Sequence, residues 1–145
     1  MRAKEIYLDN GATTKVDPEV LKAMMPYFSE KYGNASSTHV LGQESKKALE
    51  NARKIIAESI NAESNEMIFT SGGTESNNLA IQEIAYTNRD KGNHVITTKV
   101  EHKSILNTCK FLEKDGFKVT YLGVDKEGFV NPKELEKAIT NETIL

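Results

Sequence analysis

The sequence predicts an α/β protein with a mostly parallel sheet covered by helices, and three observations carry that expectation. Short apolar runs at residues 67–70, 94–98 and 117–122 alternate with longer amphipathic segments. Glycine, proline and capping residues stand at the boundaries between them. The intervening segments are long enough to serve as the crossovers that parallel neighbours need.

The elements follow in order. Asp17-Pro18 is an N-cap followed by proline at the first helical position, so residues 17–32 read as helix ending at Gly33, with Pro26 kinking or dividing it. Residues 43–60 place Ala48, Ala52, Ile55, Ile56 and Ile60 at helical spacing among charges, the pattern of a helix lying on a sheet. Met67-Ile68-Phe69-Thr70 reads as a strand that ends in Ser71-Gly72-Gly73, and a helix follows from Thr74 to about Asn88. Residues 94–98 repeat the strand, residues 104–114 the helix, closed by Gly116, and residues 117–122 the next strand. Asn131-Pro132 opens a last helix to about Ile139. Thr143-Ile144-Leu145 reads as the first half of another buried strand, so the expectation is of a chain that stops inside its domain.

The 145 residues carry 19 basic against 21 acidic side chains, a net charge of −2, and 38% are hydrophobic. A chain this long buries roughly 70% of the surface its unfolded form exposes, enough for a core, which argues against a disordered tail. No repeat or flexible linker splits it. Charges alternate with no basic stripe, so neither nucleic acid nor a membrane surface is an expected partner. No apolar run approaches the ~20 residues of a membrane-spanning helix, and Met1-Arg2-Ala3-Lys4-Glu5 lacks a signal peptide's apolar stretch. The expected location is the cytoplasm. The one cysteine, Cys109, allows no internal disulfide and no cysteine-based zinc site. Its spacing with Ile105, Leu106 and Leu112 turns it toward the core.

The most informative stretch is Phe69-Thr70-Ser71-Gly72-Gly73-Thr74-Glu75-Ser76-Asn77-Asn78. Two glycines between a strand and a helix bring backbone amides close to an anion, and the helix N-terminus adds partial positive charge, so a phosphate is the natural guest. Thr74 would cap the helix and could donate to a phosphate oxygen. No Gly-Lys-Ser/Thr follows and Gly-x-Gly-x-x-Gly is missing, so neither a Walker loop nor a dinucleotide fingerprint is present. On spacing alone the stretch reads equally well as an ordinary β–α turn whose threonine merely caps. In open parallel sheets ligands bind beyond the carboxyl ends of the strands, which would bring His102, in Thr98-Lys99-Val100-Glu101-His102-Lys103-Ser104, to the same space as Gly73-Thr74. A loop histidine alone more often caps or faces solvent, and His39 and His94 fit that description better still. The polar loops at residues 8–14 and 33–39 are compatible with plain turn chemistry.

Taken together, residues 7–14, 33–39, 69–78 and 101–104 resemble the NifS/IscS-like cysteine desulfurases, pyridoxal-phosphate enzymes of the fold-type I aminotransferase class. The resemblance covers nearly the whole chain. It implies that residues 1–15 go with the small domain or the active-site entrance. Residues 16–145 would form the first part of the large pyridoxal-phosphate-binding domain. It implies that the Gly73 backbone and the Thr74 hydroxyl hold the cofactor phosphate, that His102 stacks on the pyridine ring and assists proton transfer, and that Asn10 and Gly11 lie near the substrate. Two positions depart from the family's usual pattern: Gly11 stands for alanine, and Ala35 stands for proline.

Family members are more than twice as long, and their Schiff-base lysine, the aspartate facing the pyridine nitrogen and the sulfur-accepting cysteine have no counterparts here. Lys103 follows a histidine, but Glu101 and Ser104 match the earlier histidine motif, which leaves Lys103 solvated. The implied activity of a complete enzyme is conversion of L-cysteine to alanine, with sulfur passed to an enzyme cysteine as a persulfide for iron–sulfur clusters or tRNA thiolation. The resemblance also implies a homodimer and a sulfur-acceptor protein. As printed, the chain is not expected to complete the reaction. A selenocysteine lyase, another fold-type I enzyme, or a non-catalytic chain acting by dimerisation or binding remain alternatives, and the sequence after Leu145 would discriminate among the enzymes.

Overall fold

The computed structural model describes residues 6–145. Met1–Glu5, the start of the expected 1–15 segment and the residues that lack a signal peptide's apolar stretch, lie outside the described residues. The chain divides into two compact units at Ile68/Phe69, so the expected 16–145 body spans parts of both.

In the first unit, α1 (Pro18–Met24) opens as expected, with the Asp17 carboxylate accepting the Glu19 amide at 2.8 Å. Proline carries no N–H, so the helical ladder breaks at Pro26 and a separate turn, α2 (Pro26–Ser29), follows. Helix α3 (Val40–Ser59) begins before residue 43 because His39 caps it, its Nδ1 accepting the Gly42 amide at 3.3 Å. It ends where Asn61 takes a left-handed φ of 56° and the Ala62 amide donates to the Ala57 carbonyl at 2.9 Å. The loop at residues 33–39 lies so close to the start of α3 that a Cβ on Gly33 would come within 2.2 Å of the Leu41 carbonyl oxygen. A 3₁₀ turn at Ser64–Glu66 follows, and the Arg53 guanidinium donates to the Met67 carbonyl.

The strand expected at residues 67–70 does not form. Met67 is extended, with φ −93° and ψ 124°, but a strand exists only through ladder bonds to a neighbour. Among the described residues no β-ladder or bridge includes this stretch.

The second unit contains α4 (Gly73–Thr87), β1 (His94–Thr98), α5 (Lys103–Lys114), β2 (Lys118–Leu122) and α6 (Pro132–Ala138). The strands are parallel, in register from His94 opposite Lys118 to Thr98 opposite Leu122, with α5 as the crossover. The other edge of β1 is met by the last residues. The His94 amide donates to the Glu142 carbonyl, and the Ile144 amide donates to the His94 carbonyl, both at 2.9 Å. The nascent strand expected at 143–145 is therefore present as a bridge, His94 to Thr143. Gly92 makes room for that turn, since a Cβ there would lie 2.3 Å from the Glu142 oxygen.

Ala85 of α4, Val95 of β1, Cys109 and Leu112 of α5 and Phe117 form the core. Helix α5 closes on Gly116, at φ 91°, with the Phe117 amide donating to the Leu112 carbonyl and the Gly116 amide to Glu113. That double bond pattern stops the helix and returns Phe117 to the core beside Leu112. His94 corrects the expectation of a cap or surface histidine. It is buried, with Nδ1 2.7 Å from the Thr143 hydroxyl and Nε2 2.8 Å from the Thr120 hydroxyl. Ring nitrogens leave water only when partnered, and both partners come from segments distant in sequence.

Candidate functional site

The phosphate-loop candidate opens the second unit. Gly72 is the N-cap of α4 and offers no side chain to the first-turn amides. Thr74, expected as the cap, sits inside the helix instead, exposed, and its hydroxyl makes no hydrogen bond among the described residues. The first helical bond runs from the Ser76 amide to the Gly72 carbonyl at 3.1 Å. The amides of Gly73, Thr74 and Glu75 precede it and have no acceptor within the helix. A Cβ on Gly72 or Gly73 would meet nothing within 4 Å, so the chain's own packing does not demand either glycine. Their missing side chains leave the amides uncovered, which suits an approaching phosphate.

Glu75 braces the turn. One of its carboxylate oxygens accepts the Ser71 amide and the Ser71 hydroxyl, each at 2.6 Å. These bonds, the hydroxyl's first, hold the carboxyl below its ordinary 4.5 against a smaller opposing effect of burial. The Thr70 and Ser76 hydroxyls lie 2.6 Å apart across the same turn.

Two side-chain links join this turn to the start of α5. Asn78 donates to the Thr74 carbonyl at 2.7 Å, and its own carbonyl oxygen faces the Thr108 hydroxyl, which also lies 2.8 Å from the Ser104 carbonyl. Asn77 donates from Nδ2 to the Ser104 hydroxyl at 2.9 Å, and that hydroxyl is 2.8 Å from His102 Nδ1. His102 is itself the N-cap of α5, its Nδ1 accepting the Ser104 amide at 3.2 Å. The ring is exposed, and Nε2 has no partner among the described residues. Thr98, at the end of β1, donates to the Glu101 carboxylate at 3.0 Å and shapes the connection into His102.

The Asn77–Ser104–His102 hydrogen bonds thus tie the first turns of α4, where Gly73 and Thr74 stand, to His102 at the start of α5. Asn77, Asn78, Ser104 and Thr108 were not singled out for a role, because they meet across 27 to 30 residues of sequence. Asn10 and Gly11 belong to the first unit, in a turn closed by the Ala12 amide on the Asp9 carbonyl at 3.1 Å. A Cβ at Gly11 would meet open space. Lys103 is exposed, as expected.

Cys109 is 1% exposed. Burial first, then the carboxylates of Glu113 and Glu101, push its thiol above the ordinary 9.0. A mainly apolar cleft of about 500 Å³, walled by Ile81, Val95, Ile105, Cys109 and Leu122 among others, is separate from the Gly73-Thr74 turn. Among the described residues no cluster of three His, Cys, Asp or Glu side chains could hold a metal, and no helix is long and apolar enough to cross a membrane.

Residues 6–145 match the family model described as aminotransferase class-V. The cysteine desulfurase IscS of Clostridium botulinum is 55% identical over 142 residues, which are 98% of this chain and 36% of that protein. Among solved structures, a NifS-like protein aligns with a TM-score of 0.88 at 42% identity, over 92% of this chain and 37% of the other. SspA in complex with cysteine aligns with a TM-score of 0.84 at 41% identity, over 91% of this chain and 38% of the other. The chain spans about a third of the length of the relatives it matches.

Proposed function

The chain belongs to the aminotransferase class-V family, and on that premise we propose that it serves a pyridoxal-phosphate-dependent cysteine desulfurase. The observation that carries the reading is the double link from Thr74 and Asn77 of α4 to Ser104 and His102 of α5. It holds an uncovered set of amides and an exposed imidazole on one rigid frame. The relatives named as cysteine desulfurases and the neighbour solved in complex with cysteine support the substrate class.

In this reading the amides of Gly73, Thr74 and Glu75 and the Thr74 hydroxyl bind the cofactor phosphate. They are pre-oriented by the helix and need no rearrangement to do so. Glu75 stabilises the turn by accepting the Ser71 amide and hydroxyl. His102 supplies a flat ring to lie against the pyridine and a nitrogen, Nε2, from which a proton can be shared. When bound, pyridoxal phosphate supplies an electron sink for bonds at the substrate's α-carbon. Asn10 and Gly11 are assigned to the substrate side. The sulfur acceptor is a cysteine other than Cys109. L-cysteine as substrate, a protein acceptor serving iron–sulfur assembly or tRNA thiolation, a homodimer and a cytoplasmic location complete the proposal.

The test uses the complete protein that carries this chain, reconstituted with pyridoxal phosphate. The expected result is a visible absorbance band removed by borohydride, with alanine formed from L-cysteine and sulfide released under a reductant. Absence of both the band and alanine overturns the reading.

A further inference from the structure

The hydrogen-bond chain that ends on His102 carries an inference that rests on the proposed function and deepens it. A backbone N–H can donate only to a lone pair, so the Ser104 amide on His102 Nδ1, at 3.2 Å, requires that nitrogen to be unprotonated. Toward this atom the Ser104 hydroxyl, at 2.8 Å, can then act only as a donor, and it shares the nitrogen's single lone pair with the amide. Its oxygen is free to accept, and Asn77 Nδ2 donates to it at 2.9 Å. Ser104 is 7% exposed, so water competes little for these bonds. Along this line the hydrogen bonds run one way, from Asn77 to Ser104 to His102.

We infer that Asn77 and Ser104 are positioning residues that lock neutral His102 in the tautomer protonated at Nε2, so that the ring presents an N–H donor to whatever lies against it. The locked form orients the imidazole twice over, by the cap geometry and by the direction of the hydrogen-bond chain. It makes the resting histidine a donor at Nε2, and a basic role at that atom would need the chain to reverse. Such fixing of one ring nitrogen by a partner on the other is how proteins choose a histidine tautomer. Thr108 steadies the same turn through the Ser104 carbonyl.

The experiment is ¹⁵N spectroscopy of the histidine-labelled complete protein that carries this chain, at a pH where the rings are neutral, with the His102 signal identified by its loss in His102→Gln. The expected result for the parent is one tautomer at His102, with pyridine-type Nδ1 and pyrrole-type Nε2. In Ser104→Ala a second tautomer should appear, toward the mixture of a free imidazole. Asn77→Ala should give an intermediate result. Both variants remove atoms without adding bulk, and circular dichroism verifies that each is folded.

In the complete enzyme, Ser104→Ala should lower kcat roughly tenfold, the scale of one hydrogen bond, and leave KM within about twofold. Free-imidazole proportions in the parent, or no change in Ser104→Ala, overturn the inference and leave the proposed function intact. Failure of the complete protein to bind pyridoxal phosphate would sink the function while the tautomer result stood.

Discussion

Ser71 gives Glu75 two hydrogen bonds to a single carboxylate oxygen, one from its amide and one from its hydroxyl, both at 2.6 Å. Both favour the ionised acid, which is why the carboxyl sits below its usual range. A depressed folded value means the contribution to stability is fully present above the unfolded value and is lost as pH falls through the folded one. Glu75→Gln should therefore lower stability at neutral pH. The gap from the parent should close as pH drops below about 4, near the reference carboxylate value. Urea midpoints measured from pH 7 down to 3 check this. A gap independent of pH would mean that the charge is not what holds the turn.

Thr74→Val should leave the fold intact and weaken pyridoxal phosphate binding. The hydroxyl makes no hydrogen bond among the described residues, so replacing it by a methyl of similar size breaks no bond within those residues. A hydrogen bond to a charged group contributes about 1.5–3 kcal/mol, which corresponds to roughly ten- to hundredfold in the dissociation constant. Cofactor retention after dialysis and a fluorescence titration give the number. Equal affinities would remove Thr74 from the phosphate site.

The helices and the βαβ core were legible because their signals are local. Pro26 breaks a ladder, Asn131 and Pro132 open a helix, and Gly116 supplies the left-handed turn that returns Phe117 to the core. What was misread depends on distant partners. Residues 67–70 have strand composition but join no ladder among the described residues, and composition alone cannot report which strands pair. The sequence alone assigns His94 to a surface or a cap, yet its two nitrogens are satisfied by Thr120 and Thr143, 26 and 49 residues away. In the site, Gly73, Thr74 and His102 stand out as residue types. Thr74's place inside the helix and the Asn77–Ser104 link are settled only when α4 packs on α5.

Gly33→Ala should be costly and Gly11→Ala harmless. A Cβ at position 33 would lie 2.2 Å from the Leu41 carbonyl oxygen, a backbone atom fixed in the first turn of α3. Displacing it costs about 1–3 kcal/mol, as overpacking does elsewhere. At position 11 the added carbon meets nothing within 4 Å and φ is not positive, so alanine should stabilise by roughly 0.4–1 kcal/mol through the unfolded state. Denaturant unfolding of the two variants checks the ordering. A Gly33→Ala protein as stable as the parent would show that the loop at residues 33–39 does not need its close approach to α3.

Cys109 should be silent toward thiol reagents in the folded protein. Reaction requires a thiolate, and here burial, followed by the nearby Glu113 and Glu101 carboxylates, pushes the thiol above its ordinary 9.0. Because the folded value is raised, the unfolded chain ionises first. The thiol therefore supports stability at neutral pH and loses that contribution as pH climbs past about 8.5–9. Labelling with a chromogenic disulfide at pH 8 should proceed at the rate of unfolding and become immediate in guanidinium. If the complete enzyme desulfurates cysteine, Cys109→Ala should retain that activity, with a loss of stability near the 0.8 kcal/mol of one buried methylene-sized group. Loss of alanine formation in a folded Cys109→Ala protein would instead place this sulfur in the reaction, and the buried position in α5 would need to open during turnover.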